Sequence, residues 1–179
     1  MKETTRHSLK ACLPADRLFW QESLAEHTSF RCGGPAACLA RVINTEELRQ
    51  VLRLLREEDE AHFVLGRGTN VLADDAGYEG VIVQVAEGFD DIRREGDTIV
   101  AEGGAPLMRA AAFARDCGLS GLEFACGIPG TVGGGVVMNA GAYGGEMCRM
   151  VESAVLLLED GTERICSTKE LEFGIARVC

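Results

Sequence analysis

The stretch GLEFACGIPGTVGGGVVMNAGAYGGE, residues 121–146, decides how the rest of this chain is interpreted. Eight of the nineteen residues from Gly127 to Gly145 are glycine, and the stretch contains no Lys and no Asp. Glycine permits positive φ angles and lets another group approach the main chain, at an entropic cost that a plain connector does not need. Successive N–H groups in such a turn form a concave site for anions, particularly where a helix follows. We therefore predict that these backbone amides contact a ligand, and a phosphate group suits them.

A flexible linker and a tight packing contact are also rich in glycine, and both stay open at this point. A flexible linker is usually rich in Gly and Ser and polar, whereas this stretch contains apolar residues that favour burial. They are Leu122, Phe124, Ile128, Val132, Val136, Val137 and Met138. Tight packing of neighbouring elements requires glycine even without a ligand. The apolar residues favour a buried loop that faces a ligand over both alternatives.

Composition limits the class of protein. The chain has 179 residues, of which 46% are apolar and 26% charged, so we expect one domain or two small subdomains with a buried core. The net charge of −10 argues against a nucleic-acid surface, which requires clustered Lys and Arg. The chain shows neither the apolar run of a membrane span nor the apolar region of a secretory signal. We expect a cytoplasmic protein with no nucleic-acid or membrane partner, and the sequence carries no sign of its oligomeric state.

The eight cysteines are scattered without a CxxC pair, so their spacing predicts no metal site. In a chain without an export signal we expect reduced thiols that pack as small apolar residues.

A second glycine loop follows a predicted strand at residues 62–65. The loop begins Gly66-Arg67-Gly68-Thr69-Asn70, and the side chains of Thr69 and Asn70 can add hydrogen bonds to those of its amides. The loop differs from the GxGxxG fingerprint, because no third glycine and no convincing helix follow. Arg67 either contacts a phosphate or is simply solvated, and the sequence leaves both open.

The remaining pattern predicts alternating strands and helices. Asn44 is a good N-cap and Glu47 the matching third helical residue, so a helix of about three turns should begin after Asn44. Asp160-Gly161 is a hairpin turn signal. The predicted strands are 38–43, 62–65, 80–85, 89–95, 98–102, 151–159 and 162–167, with a second helix at 107–117. His27 and Ser29 suggest catalysis, but without an acidic partner nearby a turn or cap role is favoured.

Three segments resemble one bacterial family, the UDP-N-acetylenolpyruvoylglucosamine reductases known as MurB. They are HTSFRCGGPA at 27–36, LGRGTNVL at 65–72 and the stretch 121–146. Their order and spacing fit the family from about His27 onward.

The resemblance implies an α+β fold, the FAD-binding fold of the vanillyl-alcohol-oxidase (PCMH) type, with two α+β subdomains that hold the flavin between them. After a lead-in at residues 1–26, the subdomains are expected at 27–87 and 88–179. In the family, NADPH reduces FAD, and the reduced flavin converts UDP-N-acetylglucosamine enolpyruvate (UDP-GlcNAc-enolpyruvate) to UDP-N-acetylmuramate for peptidoglycan.

The resemblance also implies which residues bind. The FAD diphosphate is expected at Gly66, Arg67, Gly68, Thr69, Asn70, Val71 and Leu72. The flavin lining is expected at Gly127, Ile128, Pro129, Gly130, Thr131, Gly133, Gly134, Gly135, Asn139, Gly141 and Ala142. Tyr143 is expected to point toward the substrate, and no residue toward a metal.

The chain also departs from the family pattern. The relatives continue into a substrate-binding domain that supplies a proton-donating serine and a glutamate, and no part of this sequence matches it. An FGYR-type motif contributes a catalytic arginine in the family, whereas this chain has FGIAR at 173–177, which displaces Arg177 by one position. We therefore expect a truncated member that is incomplete for turnover.

Two alternatives stay open beside this interpretation. One is a non-catalytic flavin-binding module that acts with a partner chain. The other is an FAD-linked oxidase subunit, some of which attach flavin through His or Cys, although His27 and His62 are poorly placed for that.

Overall fold

The computed structural model describes residues 1–158 and 160–174. Four helices, α1 to α4, are separated by ten strands, β1 to β10, and by several short 3-10 turns. The helices are Glu3–Cys12, Thr45–Glu57, Leu107–Asp116 and Val132–Val137. The strands are Leu18–Ser23, Pro35–Val42, His62–Leu65, Tyr78–Val85, Ile92–Glu95, Thr98–Ala101, Gly141–Ala142, Gly145–Glu146, Ser153–Leu157 and Glu163–Ser167.

These elements form two compact units. The first unit comprises Met1–Gly88 together with the described residues of the 159–162 segment, and the second comprises Phe89–Leu158 and the residues from Glu163 onward. Residues 1–26, expected as a separate lead-in, lie in the first unit and contribute α1 and β1 to it. Among the described residues, no helix combines the length and apolar character that crossing a membrane requires.

A four-stranded sheet in the order β1-β2-β4-β3 forms the centre of the first unit. Strands β2, β4 and β3 run parallel, whereas β1 pairs antiparallel with β2. The parallel register aligns Leu39 with Ile82, and both side chains are buried in an apolar cluster with Leu65. The predicted strands at 38–43, 62–65 and 80–85 are confirmed, and β1 was missed because its sequence is polar and mixed in charge.

Helix α2 begins where the sequence predicts. The side chain of Asn44 accepts a hydrogen bond from the Glu47 N–H at 2.9 Å. The Glu47 carboxylate in turn accepts from the Ile43 N–H and from Arg17, and the Arg17 hydrogen bond is the first cause that lowers the pKa of Glu47. Capping of this kind satisfies N–H groups that the first helical turn leaves without acceptors.

The second unit is built from hairpins and short helices. Strands β5 and β6, β7 and β8, and β9 and β10 each form an antiparallel pair. Helix α3 follows Pro106, as predicted, and buries Leu107 and Ala111 in a cluster with Phe124 and Met147. Residues from the glycine-rich stretch therefore form part of this core, as their apolar content indicates.

Candidate cofactor-binding site

The loop at residues 66–72 is held in place by the preceding HTSF segment. Gly68 is buried with φ +64, and its carbonyl accepts from the Ser29 N–H at 3.0 Å. A Cβ atom on Gly68 would collide with the carbonyl oxygen of His27 and lie 3.1 Å from the Cα of Thr28. Both the backbone angle and the close approach therefore require glycine at this position.

The segment that follows is fixed in the same way. The Gly34 N–H donates to the Asp74 carbonyl at 2.8 Å. A Cβ atom on Gly33 would lie 2.5 Å from the Cβ of Ala73, and one on Gly77 would collide with the Pro35 carbonyl. The HTSFRCGGPA segment thus supports residues 66–77 through backbone contacts, which the sequence did not reveal because glycine spacing does not show which loops meet.

His27 has an acidic partner, contrary to the expectation from the sequence. Its Nε2 lies 2.8 Å from Glu22 Oε1, and its side chain is only 13% exposed. The buried Thr28 hydroxyl donates to the Cys32 carbonyl at 3.2 Å. Glu22 belongs to β1, which the sequence did not predict. The pair anchors the turn that contacts Gly68.

The amides of the 66–72 loop are open. Within residues 1–158 and 160–174, the N–H groups of Arg67, Gly68, Asn70, Val71 and Leu72 donate to no backbone or side-chain acceptor. Leu72 is also 74% exposed although it is apolar. A rigid loop with several unpaired N–H groups favours an oxyanion as acceptor. The expectation of open amides holds here, and the loop fits the diphosphate of a nucleotide cofactor.

The same expectation is wrong for the start of α4. The N–H groups of Val132 and Gly133 donate to the carbonyls of Ala105 and Gly103, both at 2.8 Å. Thr131 caps the helix, with its side-chain oxygen 3.1 Å from the Gly134 nitrogen. These amides are satisfied because the 103–105 loop lies against the helix start and Thr131 supplies the remaining acceptor. They offer no phosphate site.

Close packing explains several glycines of the stretch. A Cβ atom on Gly133 would lie 2.9 Å from the Gly103 carbonyl oxygen, and one on Gly145 would lie 2.6 Å from the Phe124 ring. Gly135 is buried, and its Cβ would approach Leu107 to 3.2 Å. The alternative of tight packing, left open by the sequence, therefore accounts for these three positions.

Asn139 is committed to bonds within the second unit. Its Nδ2 donates to Glu146 Oε2 at 3.2 Å and to the Gly174 carbonyl at 3.1 Å, and its Oδ1 accepts from the Cys148 N–H at 2.9 Å. With φ +43 it adopts the left-handed conformation that Asn tolerates. Its side chain fixes the β7–β8 hairpin, so any contact of this residue with a flavin would come from its backbone.

Tyr143 occupies the two-residue turn of that hairpin. Tyr143 and Gly144 have φ +51 and +83, the signs of a type I′ turn. The tyrosine side chain is 95% exposed and borders a shallow depression of about 490 Å³ that Glu123 and Phe124 also line. A bulky residue held at positive φ stores strain, and such residues are frequent at binding sites. The geometry suits a contact residue.

The predicted site residues fall into two groups. The seven at 66–72 lie in one loop of the first unit. In the second unit, Ile128 and Thr131 are at least half-buried, and Gly130 has φ +124 and accepts from the Leu107 N–H at 3.0 Å. Gly127, Pro129 and Gly134 are exposed, and Gly141 and Ala142 form β7. Arg177 lies outside the described residues.

A family model described as an FAD binding domain matches residues 36–167 of this chain. The UDP-N-acetylenolpyruvoylglucosamine reductase of Alkaliphilus oremlandii is 37% identical over 167 residues, which cover 93% of this chain and 55% of that protein. The chain spans about half the length of the curated relatives it matches. The sequence resemblance to that family is thereby confirmed.

Solved structures agree with these matches. The crystal structure of UDP-N-acetylenolpyruvylglucosamine reductase (MurB) from Thermus caldophilus superimposes with a TM-score of 0.69 at 34% identity, covering 87% of this chain and 54% of that one. p-Cresol methylhydroxylase superimposes with a TM-score of 0.67 at 13% identity, over 98% of this chain and 38% of that chain. The second likeness concerns the fold alone, and it confirms the predicted FAD-binding fold of the PCMH type.

Proposed function

Since this chain belongs to the FAD-binding domain family, we propose that it is the FAD-binding part of a UDP-N-acetylenolpyruvoylglucosamine reductase. The observation that carries the proposal is the 66–72 loop, whose rigid backbone presents unpaired N–H groups. The same three segments that resemble the reductase family contain this loop, the turn that supports it and the glycine-rich stretch.

In this proposal the 66–72 loop holds the FAD diphosphate through backbone N–H groups. Residues 127–135 and 139–142 line the flavin through their backbone and small side chains. The bound flavin supplies the capacity to accept and donate a hydride. The chain's own contribution is to fix the cofactor, because rigid loops lose little entropy on binding.

The reaction that we propose for the whole protein is the reduction of UDP-GlcNAc-enolpyruvate to UDP-N-acetylmuramate. NADPH is the proposed hydride donor, and the nucleotide sugar is the proposed substrate. Such a reaction serves peptidoglycan synthesis, cell shape and cell division in the cytoplasm. Tyr143 would contact the nucleotide sugar, since it is exposed and held in place by its turn.

The proposal separates two activities that can be measured independently. Protonation of the product carbon requires a general acid, which the family's substrate-binding domain supplies. We therefore expect this chain to bind FAD and to give no complete turnover by itself. Adding that domain from a relative as a separate polypeptide would restore turnover, whereas a flavin-binding module for another enzyme would gain none.

A thermal titration with FAD tests cofactor binding. A ligand at 100 times its Kd stabilises a protein by about 2.7 kcal/mol, which corresponds to a rise in Tm of roughly 5–10 °C for a chain of this size. Riboflavin, which lacks the diphosphate, is the matched control and should give a much smaller shift. A melting temperature that does not respond to FAD would contradict the proposal.

A further inference from the structure

Most arginines of this acidic chain are paired with carboxylates. Ten of them have a guanidinium nitrogen within 4.0 Å of an Asp or Glu oxygen: Arg6, Arg17, Arg41, Arg49, Arg93, Arg94, Arg109, Arg115, Arg149 and Arg164. In the described part of the chain, Arg31 and Arg67 form no such pair. Both are exposed, so their charge is available to an external anion.

Backbone contacts bring these two arginines into one region of the first unit. Arg67 immediately precedes Gly68, whose carbonyl accepts from the Ser29 N–H at 3.0 Å. The Arg31 N–H donates to the Thr28 carbonyl at 3.1 Å, and a turn of this kind holds its end residues within about 7 Å. Because Thr28 also lies against Gly68, two long and flexible side chains extend from adjoining backbone segments.

Phe30 adds an aromatic surface to the same turn. It is 61% exposed, between Ser29 and Arg31, and it takes no part in the apolar cluster of this unit. An exposed aromatic ring beside arginines is a combination that binds nucleotides, because the ring stacks on a base while guanidinium groups bind phosphates.

We propose that Phe30, Arg31 and Arg67 form a receptor for the adenosine diphosphate portion of a dinucleotide. The guanidinium groups bind the phosphates in the planar geometry that arginine favours, next to the open amides of residues 67–72. Phe30 stacks on the adenine. FAD and NADPH both contain this portion, and the assignment to FAD rests on the function proposed above.

Binding of ADP itself, measured by isothermal titration calorimetry on the whole chain, tests the receptor. Arg31→Gln and Arg67→Gln should each weaken ADP binding about tenfold, the loss expected for one charge-assisted contact. Arg53→Gln is the matched control, since Arg53 is exposed on α2 in the same unit, and it should change the affinity less than about twofold. Phe30→Leu should also weaken ADP binding, whereas it should leave inorganic pyrophosphate binding unchanged.

The outcome for each ligand decides which claim survives. No ADP binding by the unmodified chain would overturn the receptor, and so would unchanged ADP affinity in both arginine variants or an equal loss in Arg53→Gln. Circular dichroism and Tm must match the unmodified chain in every variant compared. FAD affinity that falls with ADP affinity identifies FAD as the natural source, whereas NADPH affinity that falls alone identifies the hydride donor.

The receptor and the proposed function can fail separately. ADP binding that depends on both arginines, without any FAD binding, would support the receptor and contradict the function proposed above. Tight FAD binding that neither arginine substitution changes, together with unchanged ADP affinity, would support that function and overturn the receptor. Raising the salt concentration should weaken ADP binding to the unmodified chain, because exposed charges are screened.

Discussion

The carbonyl oxygen of His27 occupies the place that a Cβ atom on Gly68 would need. Two segments that are 41 residues apart in the sequence therefore meet backbone to backbone, and Ser29 adds a hydrogen bond to the Gly68 carbonyl. The contact leaves the N–H groups of the 66–72 loop facing away from the chain's own acceptors. We expect both the stability of the first unit and its binding of FAD to depend on this contact.

Gly68→Ala should destabilise the first unit and abolish FAD binding. The added methyl group must displace the His27 carbonyl while the backbone keeps φ +64, so we expect a loss of more than about 2 kcal/mol in the free energy of unfolding. Gly96→Ala is the matched control, because Gly96 has φ +61 but open space around its Cβ position. The control should cost only about 1 kcal/mol and should not affect FAD binding. Chemical denaturation monitored by circular dichroism measures both, and equal losses would refute the steric argument.

Thr131→Ala should lower stability without loss of the fold. The side-chain oxygen of Thr131 accepts from the Gly134 N–H at 3.1 Å, and loss of an N-cap costs about 1 kcal/mol. Thr131→Ser retains the acceptor and should recover most of that loss. If Ser and Ala variants unfold at the same denaturant concentration, the hydroxyl does not cap α4.

Tyr143→Asn should make the second unit more stable. The position has φ +51 in a two-residue turn followed by Gly144, and Asn-Gly is the preferred sequence for that turn. We expect a gain of about 0.5–1 kcal/mol, measured by thermal unfolding. Tyr143→Phe retains both the strain and the ring, so its Tm should not change. A stabilised Asn variant that also loses affinity for the nucleotide sugar, in the assembled whole protein, would show that the strain is kept for binding.

Cys38 should resist alkylation in the folded protein. Burial raises the pKa of its thiol to about 12, so at pH 8 only about one molecule in ten thousand carries the reactive thiolate. Cys126 is exposed and should react first with iodoacetamide, as followed by peptide mass spectrometry. The folded pKa of Cys38 exceeds the ordinary value of 9.0, so its contribution to stability should be complete below pH 9 and fall as the pH rises toward 12. Labelling of Cys38 as fast as Cys126 would contradict its burial.

The sequence predicted those elements whose signals are local. Asn44 with Glu47 predicted the start of α2, and Asp160-Gly161 predicted the β9–β10 hairpin. Strand β1 was missed because it is stabilised by pairing with β2 and not by its own composition.

The candidate site shows the same division. The open amides of the 66–72 loop could be predicted, because glycine spacing after a strand is a local signal. The occupied amides of Val132 and Gly133 could not, since their acceptors belong to a loop some thirty residues earlier that meets α4 only in the folded unit. The partner of His27 was missed for a similar reason, because Glu22 lies on the unpredicted strand.

Amide chemical shifts test the central claim most directly, since that claim assigns the FAD diphosphate to backbone N–H groups of residues 66–72. A ¹H–¹⁵N correlation spectrum of the labelled chain should be recorded with and without saturating FAD. We predict large downfield proton shifts for the amides of Arg67, Gly68 and Asn70, because each N–H gains an oxyanion acceptor that it lacks in the chain alone. The amides of Val132 and Gly133, which already have acceptors, should move little. Unchanged shifts for Arg67, Gly68 and Asn70 at saturating FAD would contradict the assignment of the diphosphate to this loop.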